Sequence, residues 1–206
     1  MILLVATRSH HKLVEIRSLL SGVPDLQVLD LNEAGVPFDP EEEHLEPHDT
    51  FEENALSKAR HFHARSGLPT VADDSGLEVQ ALHGAPGVRS KRFAPEVDAE
   101  GHELDVANNR HLMRRLAGRG AQGRAARFVC VAALVDGDQP PVMCRGEAPG
   151  VILEAERGAG GFGYDPLFFD PELGKTFAEL TPEEKNERSH RGRAFRMLAT
   201  KLAGRT

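Results

Sequence analysis

Two adjacent carboxylates, Asp73 and Asp74, sit between two short apolar runs, Thr70 to Ala72 and Leu77 to Val79, and are followed by Ser75 and Gly76. Carboxylates held at the end of a buried strand can bind a hard cation such as magnesium, or one of them can act as a general base on water. Asp, Ser and Gly are also turn formers, so taken alone the same four residues favour a β-turn that breaks the strand in two. The choice between the two depends on what else the chain supplies. Lys12 follows the polar stretch Thr7-Arg8-Ser9-His10-His11, and Lys58 lies one turn from Asn54, on the same face of a predicted helix. The basic cluster Arg89-Ser90-Lys91-Arg92 is a candidate anion contact. Gly158 to Gly163 form a glycine-rich loop that can pass close to a ligand, with Phe162 offering a flat stacking face. A flexible hairpin is the plain alternative for that loop.

The elements that must position these residues alternate. Ile2 to Ala6 is a continuous apolar run, expected as a buried strand. Leu13, Ile16, Leu19 and Leu20 then recur at helical spacing, so the polar stretch lies between strand and helix. Its helix N-terminus can hold phosphate, or Ser9 is simply an N-cap beside a surface lysine. Leu26 to Leu29 reads as a second strand. Asn32 to Asp49 reads as a loop, with Glu41-Glu42-Glu43 as a solvated acidic run. Thr50 and Glu53 form a capping-box pattern opening a helix to about Arg65, ended by Gly67 and Pro69. A helix is expected over Asp105 to Leu116. Strands are expected over Arg127 to Val135, Pro141 to Arg145 and Val151 to Leu153. Thr181-Pro182-Glu183-Glu184-Lys185 opens another helix, and Phe195, Leu198 and Leu202 line a last one after Ser189-His190-Arg191-Gly192.

Composition narrows the classes. A chain of 206 residues is enough for one good-sized α/β domain or two small lobes around one core. The net charge of −7 argues against sequence-independent binding to a nucleic-acid polymer, and any polyanion site must gather its cations locally. No run approaches the ~20 apolar residues needed to span a bilayer. Cys130 and Cys144 both lie in apolar, strand-like runs, which fits buried reduced thiols and a cytoplasmic protein. The ten histidines lack the spacing of a zinc site: His61 and His63 are two apart on a predicted helix and face different ways.

Taken together, the motifs resemble the inosine/xanthosine triphosphate pyrophosphatases, the house-cleaning nucleotide hydrolases. The resemblance rests on Thr7…Lys12, Glu46…Thr50-Phe51-Glu52-Glu53-Asn54-Ala55, Ala72-Asp73-Asp74-Ser75-Gly76-Leu77 and Gly84-Ala85-Pro86-Gly87. It continues through Gly160-Gly161-Phe162-Gly163-Tyr164-Asp165-Pro166 and Glu179-Leu180-Thr181…Lys185…Ser189-His190-Arg191-Gly192, and so spans nearly the whole chain. It implies a single domain over residues 1–206 with a mixed α/β fold: two lobes around a long twisted sheet with flanking helices, and the nucleotide in a cleft between the lobes. It implies a magnesium-dependent homodimer that cleaves between the α- and β-phosphates of dITP, ITP or XTP. Asp74 then corresponds to the general base and, with Glu46, to a metal ligand. Thr7, Arg8, Ser9, His10, His11, Lys12, Lys58 and Lys185 fall at phosphate-side substrate positions. Ser75, Phe162, Gly163, Tyr164 and Asp165 match further substrate contacts, and His190 and Arg191 match the contacts at the base. Two features depart from the pattern. Thr7-Arg8-Ser9 stands where the family usually has Thr-Gly-Asn, and Arg89 stands where an aromatic or aliphatic residue is common. A Maf-like pyrophosphatase with another base preference and a catalytically inactive nucleotide sensor are the alternatives. The His190-Arg191 pair and the Phe162 loop argue against the first, and the intact Lys12, Glu46, Asp73 and Asp74 argue against the second.

Overall fold

The computed structural model describes residues 1–95 and 97–204. Its strands are β1 (Ile2–Val5), β2 (Gln27–Leu29), β3 (Thr70–Val79), β4 (Ala125–Val135), β5 (Val142–Ile152), β6 (Phe168–Asp170) and β7 (Lys175–Thr176). Its helices are α1 (His10–Leu20), α2 (Phe51–Ser66), α3 (Gly101–Arg115), α4 (Pro182–Arg188) and α5 (His190–Ala203). The strands hydrogen-bond in the order β2-β1-β3-β4-β5-β6-β7. β1 runs parallel to β2 and β3, whereas β6 is antiparallel to β5 and β7, so the sheet is mixed and the α/β expectation holds.

The chain divides into two compact units. The first comprises residues 1–74, 130–146 and 189–206; the second comprises residues 75–129 and 147–188. In the first, Leu3, Val5 and Val71 pack with Ile16 and Leu20 of α1 and with Phe195 of α5. In the second, Leu77 and Val79 pack with Leu112, Phe128, Phe168 and Phe177. Among the described residues no helix is long and apolar enough to cross a membrane.

Local chemistry sets the helix ends as the sequence implies. The Lys12 backbone N–H donates to the Ser9 hydroxyl at 3.4 Å, making Ser9 the N-cap of α1. The Glu53 N–H donates to the Thr50 hydroxyl at 3.2 Å, and α2 ends on Gly67 in the left-handed region at φ 68°. Thr181 and Glu184 satisfy each other's backbone N–H groups at 2.9 and 3.2 Å at the start of α4. Ser189 caps α5 by accepting from the Gly192 N–H at 3.0 Å. β5 passes close to that first turn, where a Cβ at Gly146 would lie 2.2 Å from the His190 carbonyl oxygen.

Four expectations need correction. The Asp73-Asp74-Ser75-Gly76 stretch is no break; β3 runs through it without interruption. Turn propensity is overruled because β3 lies inside the sheet between β1 and β4, and because its carboxylates find partners there, described below. The two strands expected near Pro141 and Val151 are one, β5. α3 starts at Gly101, four residues earlier than expected. The acidic run is not merely solvated: Pro40–His44 forms a short 3-10 helix capped by Asp39, and the Glu42 side chain is only 8% exposed.

Candidate active site

Successive residues of a strand point to opposite faces of the sheet. In β3 this sends Asp73 one way, with Val71, and Asp74 the other. Asp73 meets α1, β4 and α5. Its Oδ2 lies 3.1 Å from the Lys12 ammonium, 3.3 Å from Nη2 of Arg191 and 3.9 Å from the Cys130 thiol. Burial raises the Asp73 pKa, but Lys12, Arg191 and Lys58 outweigh it and hold the carboxyl well below the usual range. Arg191 also donates through Nη1 to Glu15 of α1 at 2.7 Å. Burial works against its charge, and Asp73 and Glu15 more than restore it, so its pKa is raised.

Asp74 meets α2. Asn54 donates through Nδ2 to its Oδ2 at 3.2 Å. The same amide is clasped by His48, whose N–H donates to Asn54 Oδ1 at 2.9 Å and whose carbonyl accepts from Nδ2 at 3.1 Å. Burial and the nearby Glu46 carboxylate push the Asp74 pKa up to about 6, against the pull of Lys58, Lys12 and the Asn54 bond. Lys58 hydrogen-bonds Glu46. Glu46 itself titrates low because Lys58 and Lys12 outweigh its burial, although 42% of its side chain is exposed. The Lys58 pKa is raised: its burial is offset by the charges of Glu46, Asp73 and Asp74.

The first unit therefore brings together Lys12, Glu46, Lys58, Asp74 and Arg191. Thr7 and Ser9 stand beside Lys12, with the Ser9 N–H donating to the Thr7 hydroxyl at 3.1 Å. His10 and His11 lie exposed on the first turn of α1, their rings edge to face at 6.4 Å. Arg8 turns to a different partner: its Nε and Nη2 donate to Glu42 at 2.9 and 2.7 Å. Its backbone accepts a side chain without strain, since among the described non-glycine residues only Asp25 and His83 have positive φ. His190, the first residue of α5, is 5% exposed.

The second unit holds Ser75 and the glycine-rich loop. The Phe162 N–H and the Lys185 ammonium both donate to Asp165 Oδ2, at 2.9 and 2.6 Å, and Lys185 Nζ sits 4.7 Å from the Phe162 ring centroid. Gly161 has φ 71°, and a Cβ there would fall 2.2 Å from Asp165 Oδ2, so only glycine fits. The Gly163 N–H donates to Asp105 at 2.9 Å, and its carbonyl accepts from Asn109 at 3.1 Å. The Tyr164 hydroxyl donates to the Ser90 carbonyl at 2.8 Å; burial, more than the Asp105 charge, raises its pKa. Ser90, from the basic cluster, thus braces the loop.

Sequence reasoning assigned no site role to Glu15, Asp105 or Asn109, and it offered Ser90 only as part of an anion contact. Glu15 was discernible as the residue one helical turn beyond Lys12. Asn108 and Asn109 were a clue too: they stand four and three residues before Leu112, on its apolar side of the expected helix, where an amide needs an internal partner.

Comparison with known proteins places the chain in a family. Residues 3–201 match the Ham1 family. A dITP/XTP pyrophosphatase of Aromatoleum aromaticum is 51% identical over 203 residues, covering 98% of this chain and 96% of the relative. One of Clostridium perfringens is 43% identical over 207 residues, covering 98% and 97%. The solved structure of a HAM1 protein from Coxiella burnetii superposes with a TM-score of 0.85 at 38% identity, covering 99% of each chain. The Staphylococcus aureus Ham1 protein gives 0.84 at 35% identity, covering 100% of each. The chain belongs to the Ham1 family.

Proposed function

We propose that this chain hydrolyses non-canonical purine nucleoside triphosphates, dITP, ITP and XTP, to the monophosphate and pyrophosphate, clearing them before incorporation into DNA or RNA. One observation carries the reading: Asp74 is a carboxylate whose pKa is pushed up to about 6 beside a second acid and two lysines. A base must be ionised near neutral pH yet still attract a proton, and in the metal-free chain a value of about 6 meets both conditions. The names of the relatives supply the substrate class.

Asp74 takes a proton from the attacking water as the new oxygen–phosphorus bond forms. The bond to the bridging oxygen between the α- and β-phosphates breaks, and pyrophosphate leaves with that oxygen. Asn54, held by His48, keeps the Asp74 carboxylate oriented. Lys12, Lys58 and Lys185 supply positive charge for the phosphates, with Thr7, Ser9 and the N–H groups opening α1 as hydrogen-bonding partners. Arg8, His10 and His11 belong to the same phosphate-side stretch. Ser75 and the loop Phe162, Gly163, Tyr164 and Asp165 contact the substrate, and His190 and Arg191 face its base. A guanidinium has five donors, so holding two carboxylates and facing a purine oxygen are compatible in number.

Magnesium fits the donor set. Glu46 and Asp74 are hard oxygen ligands, and the Glu46 charge raises the pKa of Asp74, a repulsion that a cation held by these residues would relieve. Among the described residues no group of three or more His, Cys, Asp and Glu is placed to hold a metal. Two carboxylates suit an ion that takes its remaining ligands from water and phosphate. When bound, it would neutralise charge on the phosphates. The whole chain acts as one catalytic domain, assembled as a homodimer, and its two buried free cysteines suit a cytoplasmic setting.

Pyrophosphate release from dITP, XTP, dATP and dGTP, with magnesium and with excess EDTA, tests the proposal. Release from dITP and XTP far above the others, abolished by EDTA, is expected. Equal release from all four, or full activity in EDTA, overturns it; binding without release would mark a sensor. Size-exclusion chromatography with light scattering checks the dimer.

A further inference from the structure

The segment 36–46, which carries Glu46, is tied to the rest of the first unit through Arg8, Arg65 and Lys58. Arg8 grips Glu42 with two nitrogens, Nε to Oε2 at 2.9 Å and Nη2 to Oε1 at 2.7 Å, and Nη2 also donates to the Val36 carbonyl at 3.2 Å. Its guanidinium lies 6.0 Å from the ring centroids of both Phe38 and Phe62. Glu42 accepts in addition from the Asp39 N–H at 3.1 Å, closing the capping box of the Pro40–His44 helix. Arg65, at the end of α2, approaches Glu42 at 3.6 Å and donates to the Pro37 carbonyl at 3.1 Å. Glu42 is thus the knot of the segment, and Glu46 leaves it four residues later to meet Lys58. A bidentate arginine–carboxylate pair fixes both distance and direction, which a single lysine contact does not.

We propose that Arg8 is a positioning residue: by clamping Glu42 it couples the phosphate-side stretch Thr7–Lys12 to the acid-bearing segment, and so holds Glu46 where a divalent cation can use it. This rests on the reading of Glu46 as a metal ligand. It gives the arginine that replaces the family's usual glycine a task directed at the cation. The same clamp carries strain in either direction, so ordering of the segment by the cation should be felt at Thr7 and Ser9.

The test measures binding of Mn2+, a paramagnetic stand-in for magnesium, to the full chain without nucleotide, by electron paramagnetic resonance of the free ion. Loss of a ligand's supporting partner typically weakens metal binding roughly 10–100-fold. Arg8 acts one step further away, so Arg8→Ala should weaken Mn2+ binding roughly threefold to tenfold, with Arg8→Lys between it and wild type. Glu42→Gln should behave like Arg8→Ala, and the double variant should be no worse than the weaker single one, because both cut the same tie. Circular dichroism checks that each variant is folded. Glu46→Gln is the control for the underlying reading. If Glu46→Gln leaves Mn2+ binding unchanged, the metal assignment itself fails. If Glu46→Gln weakens binding while Arg8→Ala and Glu42→Gln do not, the assignment stands and the clamp is overturned. Additive losses in the double variant would also overturn it, by showing that Arg8 and Glu42 act separately.

Discussion

The two faces of β3 treat neighbouring carboxylates in opposite ways. On the face toward α1 and α5, Asp73 is fully buried but has Lys12 and Arg191 within 3.3 Å. On the face toward α2, Asp74 has an uncharged amide as its hydrogen-bond donor and another acid nearby. One site fixes charge; the other leaves a proton equilibrium close to neutrality. Separation by a single peptide unit lets Asp73 gather the cations and keep them at hand, while Asp74 retains the basicity that proton transfer needs.

The most drastic way to break this contrast is to remove the basic face. Asp74→Asn should keep the fold by circular dichroism and lower kcat for dITP by roughly 10²–10⁴-fold, the usual cost of losing a general base. Turnover within a few-fold of wild type would reassign the base.

Stability should separate the two residues by sign. Asp73→Asn leaves the buried Arg191 and the half-buried Lys12 short of a partner and should cost about 3–5 kcal/mol in urea unfolding. Asp74→Asn should stabilise the metal-free protein at pH 7.5. The Asp74 pKa is raised from 3.8 to about 6, so its favourable contribution is present below pH 4 and lost as pH climbs through 6. That amounts to ~2–3 kcal/mol. The advantage of the variant over wild type should therefore vanish near pH 3.5 and grow to a plateau above pH 7. Two variants destabilised alike would erase the distinction between the faces.

A smaller effect sharpens the role of Arg191, which stands on the charge-fixing face. Arg191→Ala should lower kcat/KM for dITP and XTP more than for dATP, shrinking the ratio by roughly tenfold to a hundredfold, the worth of a hydrogen bond from a charged donor. Arg191→Lys should recover part of the ratio, lacking the planar fork. Equal losses on all substrates would confine Arg191 to supporting Asp73. The smallest change is expected in the second unit: Phe162→Leu should raise KM for dITP only several-fold, since leucine keeps apolar area but loses the stacking face. An unchanged KM would remove the ring from substrate contact.

Much of the scaffold was legible because it depends on neighbours in sequence. Ser9, Thr50, Thr181 and Ser189 announce helix starts through caps that reach only three residues ahead. The continuity of β3 was not legible, because what overrules the turn propensity of Asp73 to Gly76 comes from elsewhere: Lys12 and Arg191 lie 61 positions before and 118 positions after Asp73. Glu42 illustrates the same limit. Inside Glu41-Glu42-Glu43 its place three residues after Asp39 marks it as a capping-box acid, but nothing local indicates that it receives Arg8, 34 positions earlier in the chain. Family resemblance pointed to Asp74, Glu46 and Lys58 as site residues; it did not indicate that Asp73 would anchor Lys12, a relation that only the alternation of a continuous strand creates.

The clasp between Asn54 and His48 has a spectroscopic consequence. Because the His48 N–H occupies Oδ1, the amide cannot flip without losing that bond, and its two Nδ2 protons are permanently unlike: one lies on the His48 carbonyl, the other on Asp74. In a nitrogen–proton correlation spectrum Asn54 should therefore give two well-separated, slowly exchanging signals. As acid is added to the metal-free protein, the signal facing Asp74 should move through a midpoint at about 6, while its twin on the carbonyl stays nearly still. The protein thus carries its own internal indicator for the protonation state of Asp74, together with a reference built into the same nitrogen.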